Sequence, residues 1–295
     1  MNIIGNKWIF LGISSALVLA SIGSIMLYGF KPGIDFSGGT LWQIKFETEP
    51  TVGDLATFFT EKTDVENPII TTEKETESYL IRIKEIDETD HSSILSGLKE
   101  SFGNLEELRF DSIGASIGNE LKNKAITAFI AVLVGISLYI AFAFRKVSRP
   151  VSSWKYGTIT LITLFHDALI PAGIMALLGH FKGIEVDTNF IVALLVVMGF
   201  SVHDTIVVFD RIREHLRGDS GRTNFDTLVN ESVNETIARS INTSFTLILV
   251  LIALYFFGAP TLKYFILTML VGTAVGTYSS IFVASPILTL WRKKA

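Results

Sequence analysis

Six long apolar runs, separated by charged or glycine-containing stretches, organise this chain of 295 residues. They cover 8–30, 125–144, 154–178, 190–209, 241–257 and 264–291. Each is near or above the roughly 17 to 25 residues that a tilted helix needs to cross about 30 Å of hydrocarbon, so the pattern predicts six transmembrane helices. Between the first and second runs the period changes. Residues 40–47 alternate, with Trp42, Ile44 and Phe46 on one face, and predict a strand; 54–62 carry Leu55, Phe58 and Phe59 at helical spacing. A short strand near 68–71, a strand over 79–86 in which Ile81 and Ile83 alternate with Arg82 and Lys84, a helix over 90–102 and an extended segment over 105–112 follow. The order β-α-β-β-α-β is the ferredoxin-like arrangement.

Composition agrees with a membrane protein: 49% of the residues are apolar and the mean hydropathy is +0.46. Charge then orients the helices. Arg145, Lys146, Arg149 and Lys155 lie between the second and third runs with no acid among them, and Arg292, Lys293 and Lys294 follow the sixth. Arg211, Arg213, Arg217 and Arg222 follow the fourth in company with acids, whereas the connections holding Lys182 and Lys263 carry one base each. This bias predicts cytoplasmic termini and an external segment 31–120. That segment has 8 basic against 19 acidic residues, and the rest of the chain 17 against 10. An acidic external surface disfavours nucleic acid as a partner.

The expected fold class is therefore an α-helical polytopic membrane protein with six transmembrane helices and a ferredoxin-like α+β extracytoplasmic domain between helices 1 and 2. Its boundaries are 1–30 for transmembrane helix 1, 31–120 for the external domain and 121–295 for a five-helix transmembrane domain. The first run follows Lys7, but its apolar core is too long for a typical secretory signal, so a retained helix is expected. The chain has no cysteine, which excludes a disulfide framework and a thiol nucleophile. Walker A, HExxH and GxSxG sequences are missing, so neither an enzyme nor a cofactor or metal site is expected.

The fourth run holds a carboxylate, Asp204, beside His203, among residues suited to hydrocarbon. An ionisable group at such a depth costs at least about 2.5 to 3.5 kcal/mol on insertion scales. The default reading is an ion or proton site facing a protein interior, and the alternative is a carboxyl hydrogen-bonded to a neighbouring helix for packing. Asp167, next to His166 in the third run, is a second intramembrane carboxylate; it either joins a relay with Asp204 or fixes helix packing. Arg239 stands where the fifth run begins, and its long side chain is either an interfacial anchor or a partner reaching toward Asp204. A carboxylate that exchanges an ionic contact for a dry one can take up or release a proton. The polar run Ser240, Asn242, Thr243 and Ser244 suits hydration of a proton path, or coordination of sodium by hydroxyl and amide oxygens.

Two glycine-containing stretches flank the small domain. GIDFSGGT at 33–40 supplies Gly33, Asp35, Gly38 and Gly39, and IGASIGNE at 113–120 supplies Gly114 and Gly118. They read either as hinges or as ordinary turns. Small residues also recur every four positions, at Gly12, Ala16, Ala20 and Ser24 and again at Gly272, Gly276 and Ser280. Such rows let helices approach closely, within the chain or against a partner.

GIDFSGGT after the first run, IGASIGNELKNKA before the second, His166-Asp167, FSVHDTIVVFDRIRE at 200–214 and ARSINTS at 238–244 together resemble the SecF family of protein-export membrane subunits. The resemblance spans nearly the whole chain in the expected order. It implies residence in the bacterial cytoplasmic membrane, a complex with SecD beside the SecYEG channel and YajC, and unfolded exported polypeptides as the cargo. It also implies the resistance-nodulation-division superfamily, whose members use ion gradients, and it places Asp204 and Arg239 at the family's intramembrane charged positions. Proton coupling is expected on that ground alone. A passive translocon scaffold and an ion-coupled small-molecule or lipid exporter are the competing functions.

Overall fold

A computed structural model describes residues 1–63, 65, 68–73, 76–145, 151–219 and 223–291. Lys146, Arg149, Arg222, Arg292, Lys293 and Lys294, on which the charge reading of topology partly rests, lie outside the described residues. The chain divides into two compact units, one formed by Met1–Lys31 with Ile126–Ala295 and the other by Pro32–Ala125.

Helix α1 (Lys7–Tyr28) is followed by the smaller unit, which runs α2 (Ile34–Ser37), β1 (Gly39–Phe46), α3 (Val52–Lys62), β2 (Ile69–Glu73), β3 (Ser78–Ile83), α4 (Glu88–Phe102) and β4 (Leu105–Ile113). Its four strands form an antiparallel sheet in the order β2-β3-β1-β4. The alternation in β1 has the predicted consequence: Trp42, Ile44 and Phe46 are buried, packed with Leu55, Phe59, Ile81 and Leu98. One residue of β4, Leu108, is left unpaired where Gln43 faces Arg109 and Ile44 faces Glu107, the signature of a bulge. Helix α3 starts earlier than its apolar spacing suggests because Thr51 and Asp54 form a reciprocal capping box, with both bonds at 3.1 Å. Asp87 starts α4 by accepting from the amides of Thr89 and Asp90 at 2.9 Å. Each cap contributes about 1 kcal/mol.

Helix α5 (Ala115–Ala143) begins in the smaller unit and belongs to the larger from Ile126 on; the larger unit continues with α6 (Ser153–Lys182), α7 (Thr188–Gly218), α8 (Phe225–Phe257) and α9 (Lys263–Ser279), then a π-helical turn (Ser280–Ala284) and α10 (Ser285–Leu290). With α1 these make, among the described residues, six helices long and apolar enough to cross a membrane, the last running from a short 3-10 turn through α10. Helices α6, α7 and α9 are the most buried, and α1, α5 and α8 lie at the periphery. Helices α7 and α8 run well past their apolar stretches, which end near Phe209 and begin near Ile241. The amides of Ile3 and Ile4 donate to Asn230 Oδ1 at 2.8 and 3.2 Å, tying the first residues of the chain to the start of α8.

Close packing depends on small residues. A Cβ on Gly173 of α6 would sit 2.5 Å from Ser21 Cβ of α1, and Ser24 donates to the Gly173 carbonyl at 2.9 Å. On α9, a Cβ on Gly272 would meet Val197 at 2.5 Å and one on Gly276 would meet Ser201 at 2.8 Å. The second small-residue row therefore packs inside the chain, against α7. In the first row Ser24 is buried, while Gly12, Ala16 and Ala20 are exposed, and the inward face of α1 is made by Ser14, Ser21 and Ser24 instead.

Candidate functional site

The two intramembrane carboxylates lie on neighbouring helices, Asp167 on α6 and Asp204 on α7, both essentially without surface. Neither has a Lys or Arg nitrogen within 4.0 Å among the described residues. Their surroundings are hydroxyls. Asp167 accepts from Ser201 of α7, from Ser279 of α9 at 2.7 Å, and from His166 Nδ1 at 2.8 Å. Asp204 accepts from Ser244 of α8 at 3.2 Å, and Ser244 in turn accepts from Thr277 of α9 at 2.5 Å. Thr205 of α7 and Ser280, the first residue of the π-turn after α9, join hydroxyls at 2.9 Å. Four helices thus meet around a polar centre of two carboxylates and several hydroxyls.

The local sequence explains this convergence. Ser201, Asp204 and Thr205 occupy one face of α7, three and four residues apart. Gly276 removes the side chain that would hold α9 away from Ser201, so the hydroxyls of Thr277, Ser279 and Ser280 come within reach of α6, α7 and α8. The α-helix changes to a π-turn immediately afterwards, at Ser280–Ala284, a feature that is rare and concentrated at functional sites.

The remaining candidates separate by helical face. His166 is buried, and its Nε2 has no hydrogen-bond partner among the described residues. The His203 side chain is 65% exposed, with Nδ1 3.9 Å from Asp204. On α8, Ser240 and Ser244 are buried toward α7 and α9, whereas Arg239, Asn242 and Thr243 are exposed, Thr243 donating to the Arg239 carbonyl at 2.9 Å. Arg239 is not in contact with Asp204; it lines a recess of about 400 Å³ with Val207, Asp210, Arg211, Glu214, Glu235 and Thr236. Beside it Arg211 pairs with Glu214 and Glu235, and Asp210 with Arg213. The sequence pattern missed Ser201, Thr205, Thr277, Ser279 and Ser280, although the hydroxyl run TYSS at 277–280 within an apolar segment was a usable signal.

The glycine stretches meet inside the smaller unit. Gly33 begins α2 with ordinary dihedrals, and Asp35 lies in its first turn. Gly38 and Gly39 have φ of 74° and 115°, a region that strongly favours glycine. A Cβ on Gly38 would lie 2.8 Å from Ala115 Cα, one on Gly118 3.0 Å from the Gly38 amide, and one on Gly114 3.0 Å from the flexible Glu85 carboxylate. Gly38→Val is thus expected to be strained in dihedral and in space, lowering the thermal stability of the chain by about 1–3 kcal/mol, with Gly114→Ala much milder. Equal unfolding midpoints for the two variants would contradict this ranking.

Comparison with known proteins follows the same residues. The family model described as protein export membrane protein SecD/SecF, C-terminal, matches 94–294, and that described as the SecD/SecF GG motif matches 23–50, which contains Gly38 and Gly39. The chain is 41% identical to a protein translocase subunit SecF of Thermobaculum terrenum, covering 100% of this chain and 95% of the relative. It is 35% identical to that of a Synechocystis species, over 95% and 91% of the two chains. Among solved structures, the crystal structure of SecDF from Thermus thermophilus, described as a translocon-associated membrane protein, superposes with a TM-score of 0.83 at 32% identity. That match covers 99% of this chain and 38% of the SecDF chain, so this chain spans about two fifths of that protein's length. The super-membrane-facing form of SecDF matches at 0.68 with the same identity and coverage.

Proposed function

The chain belongs to the SecF family of protein translocase subunits, and on that premise we propose that it draws on an ion gradient, carried by protons, through Asp204 to promote polypeptide export. It is a multi-pass membrane protein and an auxiliary subunit of the Sec translocase acting with SecD. The observation that carries the coupling proposal is the unequal treatment of the two carboxylates. Asp167 receives three hydrogen bonds, one of them from an imidazole, whereas Asp204 is held, among the described residues, only by the hydroxyls of Ser244 and Thr277, each of which has a backbone carbonyl as a second acceptor. A carboxylate held by such exchangeable donors can change its protonation or ion contact without dismantling the helices around it. Asp167 instead joins α6, α7 and α9, and its part in coupling is to hold that arrangement. Arg239 acts from the recess between α7 and α8 and is not a resting partner of Asp204.

In this reading the smaller unit is a ferredoxin-like extracytoplasmic domain between the first two membrane helices. Support comes from its split β-α-β order, with β3 lying between β1 and β2, and from its excess of acidic residues. The membrane is the bacterial cytoplasmic membrane with both termini inside, SecYEG and YajC are the neighbours, and the chain makes or breaks no covalent bond. Gly38, Gly39 and Gly118 fix the base of the domain by close backbone contact. The topology is tested by a single cysteine at exposed Ser92 in intact cells, which is expected to react with an impermeant thiol reagent from outside. Reaction only after the cells are opened would reverse the orientation. The coupling is tested by comparing gradient-stimulated export by the native complex and by Asp204→Asn.

A further inference from the structure

We propose that Thr236, Ser240 and Ser244 form an aqueous access route through which water and hydrated protons reach Asp204 from the charged recess between α7 and α8. The inference rests on the coupling role of Asp204 and adds the side and path of entry. On α8 these three hydroxyls recur every four residues and so stand in one column, one turn or about 6 Å apart. All three are buried against neighbouring helices. The outer end of the column opens: Thr236 lines the recess of about 400 Å³ whose walls carry Asp210, Glu214 and Glu235 beside Arg211 and Arg239. Its inner end is the hydroxyl that donates to Asp204.

The middle position makes this more than a row of polar residues. Ser240 is 1% exposed, and among the described residues its Oγ has no hydrogen-bond partner. Serines and threonines in apolar helices commonly satisfy themselves on the carbonyl one turn back, as Thr236 does on Ser232 and Ser244 on Ser240. Ser240 does not. A buried hydroxyl without a partner costs about 1–3 kcal/mol unless water meets it, and this one lies one turn from a polar recess. Ser244 completes the relay. Its single proton has two acceptors, Asp204 Oδ2 at 3.2 Å and the Ser240 carbonyl at 2.7 Å, while its oxygen accepts from Thr277. Rotation of that proton from one acceptor to the other holds or releases the carboxylate at the inner end of the column.

The test uses the full chain with its SecD partner in sealed vesicles of known orientation. The native sequence has no cysteine, so single cysteines at Thr236, Ser240 and Phe245, an exposed position in the apolar stretch of α8, report without background. The probes are silver ion and a cationic methanethiosulfonate. Thiol reagents need the thiolate, which hydrocarbon suppresses, so Ser240→Cys is expected to react at least about tenfold faster than Phe245→Cys, and from the recess side. Reaction no faster than at Phe245, or only from the opposite side, overturns the route. A second measurement does not depend on a cysteine being tolerated: modification of Asp204 by a water-soluble carbodiimide added on the recess side is expected to slow severalfold in Ser240→Val and to be unchanged in Phe245→Val. An unchanged rate in a folded Ser240→Val chain also overturns it. If Asp204→Asn abolishes gradient dependence while these probes fail, only the route is wrong; if Asp204→Asn keeps gradient dependence, the coupling role itself is wrong.

Discussion

Replacing Asp204 by asparagine is expected to reduce export by the reconstituted complex to the level seen without an ion gradient, while leaving assembly with partner subunits and thermal stability close to native. The substitution keeps the size of the side chain and an oxygen able to accept from Ser244, so the hydrogen bond that joins α7 to α8 survives. What disappears is the titratable group. Because Asp204 has no Lys or Arg within 4.0 Å among the described residues, its removal strands no buried cation, and the several kcal/mol that usually follow the breaking of a buried ion pair do not arise. Asp204→Glu retains the carboxyl but advances it by one methylene into the hydroxyls of Ser244 and Thr277, so partial activity is expected. Export and stability are to be measured on the same preparation. Native gradient stimulation in Asp204→Asn would remove the coupling role and leave a scaffold as the better account.

The six membrane helices were readable because hydrocarbon thickness imposes a length that composition must satisfy, and the interior face of β1 was readable because Trp42, Ile44 and Phe46 occupy alternate positions. Element ends were less so. The strand expected over 79–86 closes at Ile83, and α3 opens at Val52 since its start is set by the Thr51 cap, outside the apolar spacing. The carboxylates at 167 and 204 stood out because charge is expensive in their setting. Their partners did not, for a physical reason. A serine or threonine in a membrane helix can satisfy itself on its own backbone, and only the neighbour's distance decides whether it turns outward. That distance is set here by Gly276 facing Ser201, a contact between residues far apart in sequence.

Arg239 shows the converse. It is adjacent in sequence to Ser240, but one residue turns a helix by about 100°, so the arginine faces the recess while the serine faces inward. Thr243 and Asn242 diverge from the Ser240–Ser244 column in the same way. The polar run 240–244 is therefore two surfaces, and helical rotation alone was enough to divide it.

Asp167→Ala is expected to act in the opposite manner to Asp204→Asn, by lowering stability before it touches coupling. It removes the acceptor of Ser201, Ser279 and His166 at once. Two of these bonds, from Ser201 and Ser279, cross between helices, and such bonds average about 0.6 kcal/mol each, which for two gives about 1 kcal/mol. A buried donor left without any partner costs more, about 1–3 kcal/mol. Ser279 can soften the loss, because it already has the Gly276 carbonyl at 3.0 Å as a second acceptor. His166 cannot, because its Nε2 is already without a partner and Nδ1 would lose its bond to Asp167. Much of the expected cost of about 2–4 kcal/mol thus falls on the histidine. Asp167→Asn should be intermediate, keeping one acceptor oxygen but turning an amide toward a donor. In the purified complex, the unfolding midpoint is expected to fall by several degrees for Asp167→Ala and to recover in part when His166→Phe is added, since the second change removes the stranded ring nitrogens. An unchanged midpoint in Asp167→Ala together with lost gradient dependence would make Asp167 a member of the ion relay, with Asp204 no longer the sole exchanging group.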